Sequence, residues 1–123
     1  MTEHKPTKSV LLIVEDESSV CRALSRMLGK RVDEIASAFS PQEAEMVLVS
    51  KEVTHLVCDH WFGMGQPLGV DLVAKWKEKY PSIENIVLLT GTDETRLSPP
   101  TEGVLIMNKT VNPDDLIAAL NLT

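Results

Sequence analysis

Five short apolar runs, residues 9–14, 32–36, 54–58, 85–89 and 104–107, constrain this chain more than any other feature. Each is too short for a buried helix and right for a strand. The first, third and fourth are apolar at successive positions. This is the pattern of parallel strands covered on both faces, whereas a strand with one wet face alternates. The run at 32–36 carries Asp33 and Glu34 in its middle, which suits an edge strand.

Between the runs lie segments with helical period. In residues 17–29, Val20, Leu24, Met27 and Leu28 fall on one face, and Gly29 is a natural stop. Ser40-Pro41-Gln42-Glu43 is a helix start, with a Ser cap, Pro at the first helical position and Glu three residues after the cap. A third helix is predicted over 68–79, with Leu72, Val73, Trp76 and Tyr80 inward and Pro81 closing it. Asn112-Pro113-Asp114-Asp115 starts the last one, with Leu116, Ile117 and Leu120 as its apolar face. The alternation of strand and helix, repeated five times, predicts an α/β fold: one parallel sheet with helices on both faces. Residues 1–8 read as a polar lead-in, and 9–123 as a single domain.

Composition excludes several function classes. A formal net charge of −6 opposes a general nucleic-acid binder, which needs a basic face, although a small basic patch is compatible with it. No apolar run approaches the ~20 residues that cross a bilayer. No signal-peptide core precedes the first strand, so a cytoplasmic protein is expected. Cys21 and Cys58 are too few for a disulfide framework and read as buried thiols.

Right-handed crossovers bring the carboxyl ends of parallel strands to one edge, where open α/β sheets bind ligands. The first strand delivers Glu15 and Asp16 there, the third Asp59, the fourth Thr90 and the fifth Lys109. Clustered carboxylates repel unless a cation joins them. A hard divalent ion with oxygen ligands suits them, and Mg²⁺ suits them best, since it is commonly held by one or two carboxylates plus waters and phosphate oxygens. An Asp nucleophile beside such an ion, with a Lys charge and a Thr hydroxyl, is a set for phosphoryl transfer. His55, Cys58 and His60 also lie close in sequence. Strand alternation puts His55 on the opposite face, and no fourth ligand has zinc-site spacing. His60 reads as a variable loop residue, and Glu17 as a plain helix-start acid.

The chain resembles a response-regulator receiver domain of two-component signalling over its whole length. The resemblance rests on "LLIVEDES", "HLVCD", "IVLLTGT" and "VLIMNK" at the first, third, fourth and fifth strand ends. The separations agree as well: 43 residues from Asp16 to Asp59 and 31 from Asp59 to Thr90. The resemblance implies a flavodoxin-like, doubly wound sheet in the order 2-1-3-4-5. It implies Asp59 as phosphoacceptor, Asp16 on Mg²⁺, Glu15 acting through a metal-bound water, and the Trp61 backbone carbonyl as a further metal ligand. Thr90 and Lys109 would contact the phosphoryl group. The donor would be a sensor histidine kinase or a phosphotransfer protein. With no output domain expected after the fifth helix, output would pass by contact with a downstream protein, or the chain would be a fragment of a larger regulator.

This chain departs from the family pattern at four places. Thr110 stands where Pro usually follows the Lys, often after a cis bond, and the orientation of Lys109 turns on it. Ile106 replaces the usual aromatic three residues before the Lys. Pro99 and Pro100 restrict a fourth helix to about a turn around 94–98. The loop after Asp59 lacks Met-Pro and carries Gly63 and Gly65. The first three departures favour an alternative reading, a receiver-fold interaction module that signals without phosphate, and the intact five-residue site disfavours it. A dedicated phospho-aspartate phosphatase is disfavoured by Trp61, where that class has a second Asp.

Overall fold

The computed structural model describes residues 8–91 and 103–122. The elements are β1 (Val10–Val14), α1 (Ser18–Leu28), a 3-10 turn (Gly29–Arg31), β2 (Glu34–Ala38) and α2 (Pro41–Ser50), then β3 (His55–Asp59), α3 (Gly69–Lys79), β4 (Asn85–Thr90), β5 (Val104–Asn108) and α4 (Pro113–Ala119). The sheet runs β2-β1-β3-β4-β5 with every pairing parallel. The doubly wound order is the expected one. The short helix expected around 94–98 lies outside the described residues. Among those residues, no helix is long and apolar enough to cross a membrane.

Two apolar layers explain why β1, β3 and β4 read as apolar on both faces. On one side Leu12, Leu56, Cys58 and Leu88 meet Ala44 and Leu48 of α2 and Leu72, Val73 and Trp76 of α3. On the other side Leu11, Ile13, Val57, Val87 and Leu89 meet Cys21, Leu24 and Leu28 of α1, and Leu116 and Ile117 of α4. Each fully buried aliphatic side chain contributes roughly 1.5–3 kcal/mol relative to exposure, so the two layers supply most of the driving force. Both cysteines are free and buried, as expected.

Helix starts follow the sequence signals. Ser40 accepts the Glu43 N–H at 3.1 Å, while the Glu43 carboxylate reaches back to the Phe39 N–H at 2.8 Å. Asn112 accepts the Asp114 N–H at 2.7 Å. One boundary differs from expectation. α1 ends at Leu28 with Gly29 as its C-cap, as expected, but Gly29 keeps a right-handed conformation and begins the 3-10 turn. β2 consequently begins at Glu34, two residues later than predicted. Ser9 fixes its start: the Ser9 carbonyl accepts from the Asp33 and Glu34 amides at 3.1 and 3.0 Å, and the Asp33 carboxylate accepts the Ser9 N–H at 2.8 Å. β2 pairs only with β1, at the edge.

The turn from β3 into α3 is the tightest point of the fold. The Gly69 N–H donates to the His60 carbonyl at 2.7 Å. A Cβ on Gly69 would lie 2.1 Å from the Asp59 carbonyl oxygen and 2.7 Å from the His60 Cα. Backbone cannot yield as a flexible side chain can, so only glycine fits. Gly69→Ala is expected to destabilise the protein by about 1–3 kcal/mol or more, the range for overpacking a dense site. Chemical denaturation measures this, and an unchanged midpoint would contradict the close approach.

Candidate functional site at the carboxyl edge of the sheet

Glu15 follows β1 directly. Its N–H donates to the Ala38 carbonyl at 3.0 Å, so the β1–β2 ladder holds its backbone. Its side chain points inward and the residue is 1% exposed. Oε2 accepts the Glu17 N–H at 3.0 Å. Oε1 is buried without a hydrogen bond of good geometry, and its nearest cation is Lys109 Nζ at 3.2 Å. Asp16 is exposed at the rim. Glu17 is the N-cap residue of α1 but makes no side-chain cap bond.

Asp59 ends β3 and is 4% exposed. Its Oδ1 lies 3.2 Å from Lys109 Nζ, and the Trp61 backbone N–H donates to its carboxylate. Thr90 ends β4, buried, and its carbonyl accepts the Lys109 N–H at 2.9 Å. The lysine backbone is thereby fixed while its side chain reaches back between Glu15 and Asp59. No peptide bond among the described residues is cis, so Lys109 enters the site without the usual Lys-Pro geometry. Asn108 organises the turn instead. Its side-chain oxygen accepts the Thr110 N–H at 2.9 Å and the Thr110 hydroxyl at 2.7 Å. This is an Asx-type turn, the local bonding by which Asn shapes a loop without proline.

The three acids lie close enough to share an ion. Glu15, Asp16 and Asp59 each present an oxygen, all within 4.8 Å of one another. Among the described residues this is the one such cluster of His, Cys, Asp or Glu, and His55, Cys58 and His60 form none. Three carboxylates face one ammonium. The all-oxygen donor set, with three carboxylates and one ammonium, fits a hard divalent cation. Asp16, Asp59, Trp61, Thr90, Gly91 and Lys109 line a cleft of about 370 Å³ above the cluster.

Burial, together with the neighbouring charges, shifts the titrations. Burial pushes the Glu15 carboxyl up from its ordinary 4.5; the Glu17 N–H opposes this and Asp59 adds to it. Burial likewise raises Asp59 above 3.8, with Lys109 opposing. Burial alone would lower Lys109, but Asp59 and Glu15 outweigh it and the net shift is upward from 10.5.

Three positions carry more than the sequence revealed. His60 is not a free loop residue: its N–H donates to the Leu89 carbonyl at 2.9 Å, and its ring Nδ1 accepts the Val70 N–H at 3.4 Å. Gly69 and Asn108 set the two backbones that flank the site. The signal for Asn108 was an Asn two residues before a Thr at a strand end, a turn pattern overshadowed by the missing proline. Trp61 is 55% exposed beside the cleft. Gly63 and Gly65 adopt φ of 112° and 81°, and the Gln66 N–H donates to the Gly63 carbonyl at 3.3 Å. The loop is therefore a defined turn that needs glycine.

No protein-family model matches the sequence, and no curated protein gives a significant sequence match. The fold has many solved neighbours. A response regulator receiver protein from Sinorhizobium medicae WSM419 matches with a TM-score of 0.81 at 20% identity, over 94% of this chain and 93% of that one. The signal receiver domain of an HD domain-containing protein from Pseudomonas fluorescens Pf-5 matches with a TM-score of 0.79 at 21% identity, over 93% and 92%. A response regulator from Burkholderia pseudomallei, solved with a phosphorylated aspartic acid, a calcium ion and citrate, matches with a TM-score of 0.74 at 21% identity, over 91% and 66%. The chain has the flavodoxin-like fold of response-regulator receiver domains.

The raised carboxyls give a stability prediction. Glu15 and Asp59 hold protons to higher pH in the native state than in the unfolded chain. Their contribution favours the native state below the ordinary carboxylate range and is lost as pH rises through the raised values. In chelator, Asp59→Asn removes one buried like charge and is expected to stabilise the protein at neutral pH by about 0.5–2 kcal/mol, as substitutions that relieve functional strain do. The gain should shrink as pH falls towards the ordinary carboxylate range. Thermal melts of both proteins across pH test this, and a gain that grows in acid would contradict it.

Proposed function

We propose that this protein is a phospho-accepting receiver of a two-component phosphorelay, with Asp59 as acceptor and Mg²⁺ as cofactor. The observation that carries the reading is the position of Lys109 Nζ, 3.2 Å from both Asp59 Oδ1 and Glu15 Oε1, inside a carboxylate cluster that spans 4.8 Å. A lone structural carboxylate needs no such company.

In this reading Asp16 and Asp59 hold the cation directly, with the Trp61 backbone carbonyl as a third protein ligand. Glu15 acts one layer further out, consistent with its burial and its bond to the Glu17 N–H. The bound ion supplies positive charge to the non-bridging phosphoryl oxygens. A phospho-histidine of a sensor kinase or phosphotransfer protein approaches the cleft. An Asp59 carboxylate oxygen forms the bond to phosphorus as the P–N bond breaks. The donor imidazole nitrogen leaves with the electron pair and takes up a proton. Lys109 stays beside the Asp59 carboxylate and neutralises charge on the transferred group, and the Thr90 hydroxyl donates to one of its oxygens. Hydrolysis of the acyl phosphate resets the protein, and a protein partner reads the phosphorylated state.

Intact-mass measurement after incubation with Mg²⁺ and acetyl phosphate tests the reading. The expected result is one added phosphoryl group that requires Mg²⁺ and disappears in Asp59→Asn. No adduct on the folded protein with acetyl phosphate or phosphoramidate would instead favour a phosphate-independent interaction module.

Asp16→Ala separates the metal role from folding. Asp16 is exposed and, among the described residues, makes no hydrogen bond or ion pair to the core, so the variant should melt within about 0.5 kcal/mol of the parent. Its Mg²⁺ affinity should fall roughly 10- to 100-fold, as loss of a metal-site group commonly does. Trp61 emission beside the cleft reports the titration, and Trp76, fully buried, serves as an internal background. An unchanged Mg²⁺ affinity would remove Asp16 from the site.

A further inference from the structure

α3 opens without a cap of its own. Its N-cap residue is Leu68, and no side-chain hydrogen bond caps the helix from that position. α2 and α4 open differently, on Ser40 and Asn112, each of which accepts an amide of its first turn. The first N–H groups of a helix have no partner within it, so those of α3 are met elsewhere. The Leu68 carbonyl accepts the Asp71 N–H at 3.1 Å. The two amides before it go to a single residue, His60. Its carbonyl accepts the Gly69 N–H at 2.7 Å, and its ring Nδ1 accepts the Val70 N–H at 3.4 Å.

His60 therefore supplies the missing cap from outside the helix, with one backbone and one side-chain acceptor. A ring nitrogen that accepts carries no proton, so the proton of the neutral imidazole sits on Nε2. The His60 N–H is also committed, to the Leu89 carbonyl of β4 at 2.9 Å. One residue thus ties the end of β3 both to β4 and to α3. Its two neighbours in sequence are Asp59 and Trp61, and the Trp61 N–H donates to the Asp59 carboxylate. An ordinary N-cap such as Ser40 serves its helix alone. The cap on α3 is built into the peptide that joins two residues of the carboxylate cleft. Without the ring bond, that peptide is held on the α3 side by the His60 carbonyl alone and is free to tilt about it, taking the Trp61 carbonyl with it.

We propose that His60 is a positioning residue of the cation site, whose ring bond to the start of α3 fixes the peptide that aims the Trp61 carbonyl beside the Asp59 carboxylate. The proposal rests on the reading of Asp59 and Trp61 as metal ligands. His60 acts through its neighbours and takes no part in the transfer step. Groups that orient metal ligands from behind are commonly worth about 10- to 100-fold in affinity.

Calorimetric titration of the full chain with Mg²⁺, well below the melting temperature, tests this. His60→Phe keeps a ring and removes the acceptor. It should lower Mg²⁺ affinity roughly 10-fold and speed hydrogen exchange of the Val70 amide, read by NMR. His60→Asn places a side-chain oxygen close to where Nδ1 stood, and should recover most of the affinity and slow the exchange again. Ser40→Ala removes a side-chain cap from α2 and should lower the melting temperature with Mg²⁺ affinity unchanged. Circular dichroism confirms folding, and His60→Val carries the same test if the phenylalanine ring is not accommodated. Faster Val70 exchange with unchanged Mg²⁺ affinity would make His60 a plain helix cap and overturn the proposal. Unchanged exchange, an equal loss of affinity in Ser40→Ala, or no recovery in His60→Asn would overturn it as well. A parent protein that binds no Mg²⁺ would overturn the underlying reading together with the proposal, whereas the other outcomes leave that reading standing.

Discussion

The contact of Lys109 Nζ with Glu15 and Asp59 is the interaction on which the rest of the site depends. It joins the carboxyl ends of β1, β3 and β5 across a sheet in which β3 and β4 separate the outer two. Each carboxylate is nearly fully buried, and burying an ion costs several kcal/mol unless it is paired. One ammonium faces three carboxylates. Burial raises Glu15 and Asp59 above their ordinary values, and Lys109 opposes the shift without cancelling it. A site of this kind is poor for stability and suited to binding a cation.

The backbone keeps this imbalance in place. Parallel pairing fixes the strand ends side by side, and three short connections then aim the functional groups. Gly69 lets α3 start against the Asp59 carbonyl. The Glu15 N–H continues the ladder to Ala38, and the Lys109 N–H continues it to Thr90. Asn108 closes the turn after β5. None of these groups need touch a substrate, yet each determines where a carboxylate or ammonium sits.

Most of the fold was legible in the sequence because its central strands are covered on both faces. Val10–Val14 and Asn85–Thr90 could be recognised from continuous apolar residues alone. β2 was less legible. Its limits depend on Ser9 and Asp33 bonding across to it, an interaction between residues 24 apart that leaves no local pattern. The strand order rested on the family resemblance and not on periodicity. The charged and hydroxyl residues at the edge were legible because each follows an apolar run directly. The orientation of Lys109 was not. The missing proline suggested a displaced side chain, while the turn after Lys109 is shaped by side-chain hydrogen bonds between Asn108 and Thr110. His60 lies in the loop as expected, but its hydrogen-bond partners on β4 and α3 come together only after folding and leave no local pattern.

The central claim is that the unbalanced cluster of Glu15, Asp16 and Asp59 is a cation site. A crystal structure grown with Mn²⁺, with anomalous scattering recorded at the manganese edge, tests it most directly. The account predicts one strong peak bound by Asp16 and Asp59 at the carboxyl edge of the sheet. A cleft without that peak at saturating Mn²⁺, or a peak only at other carboxylates, would contradict it.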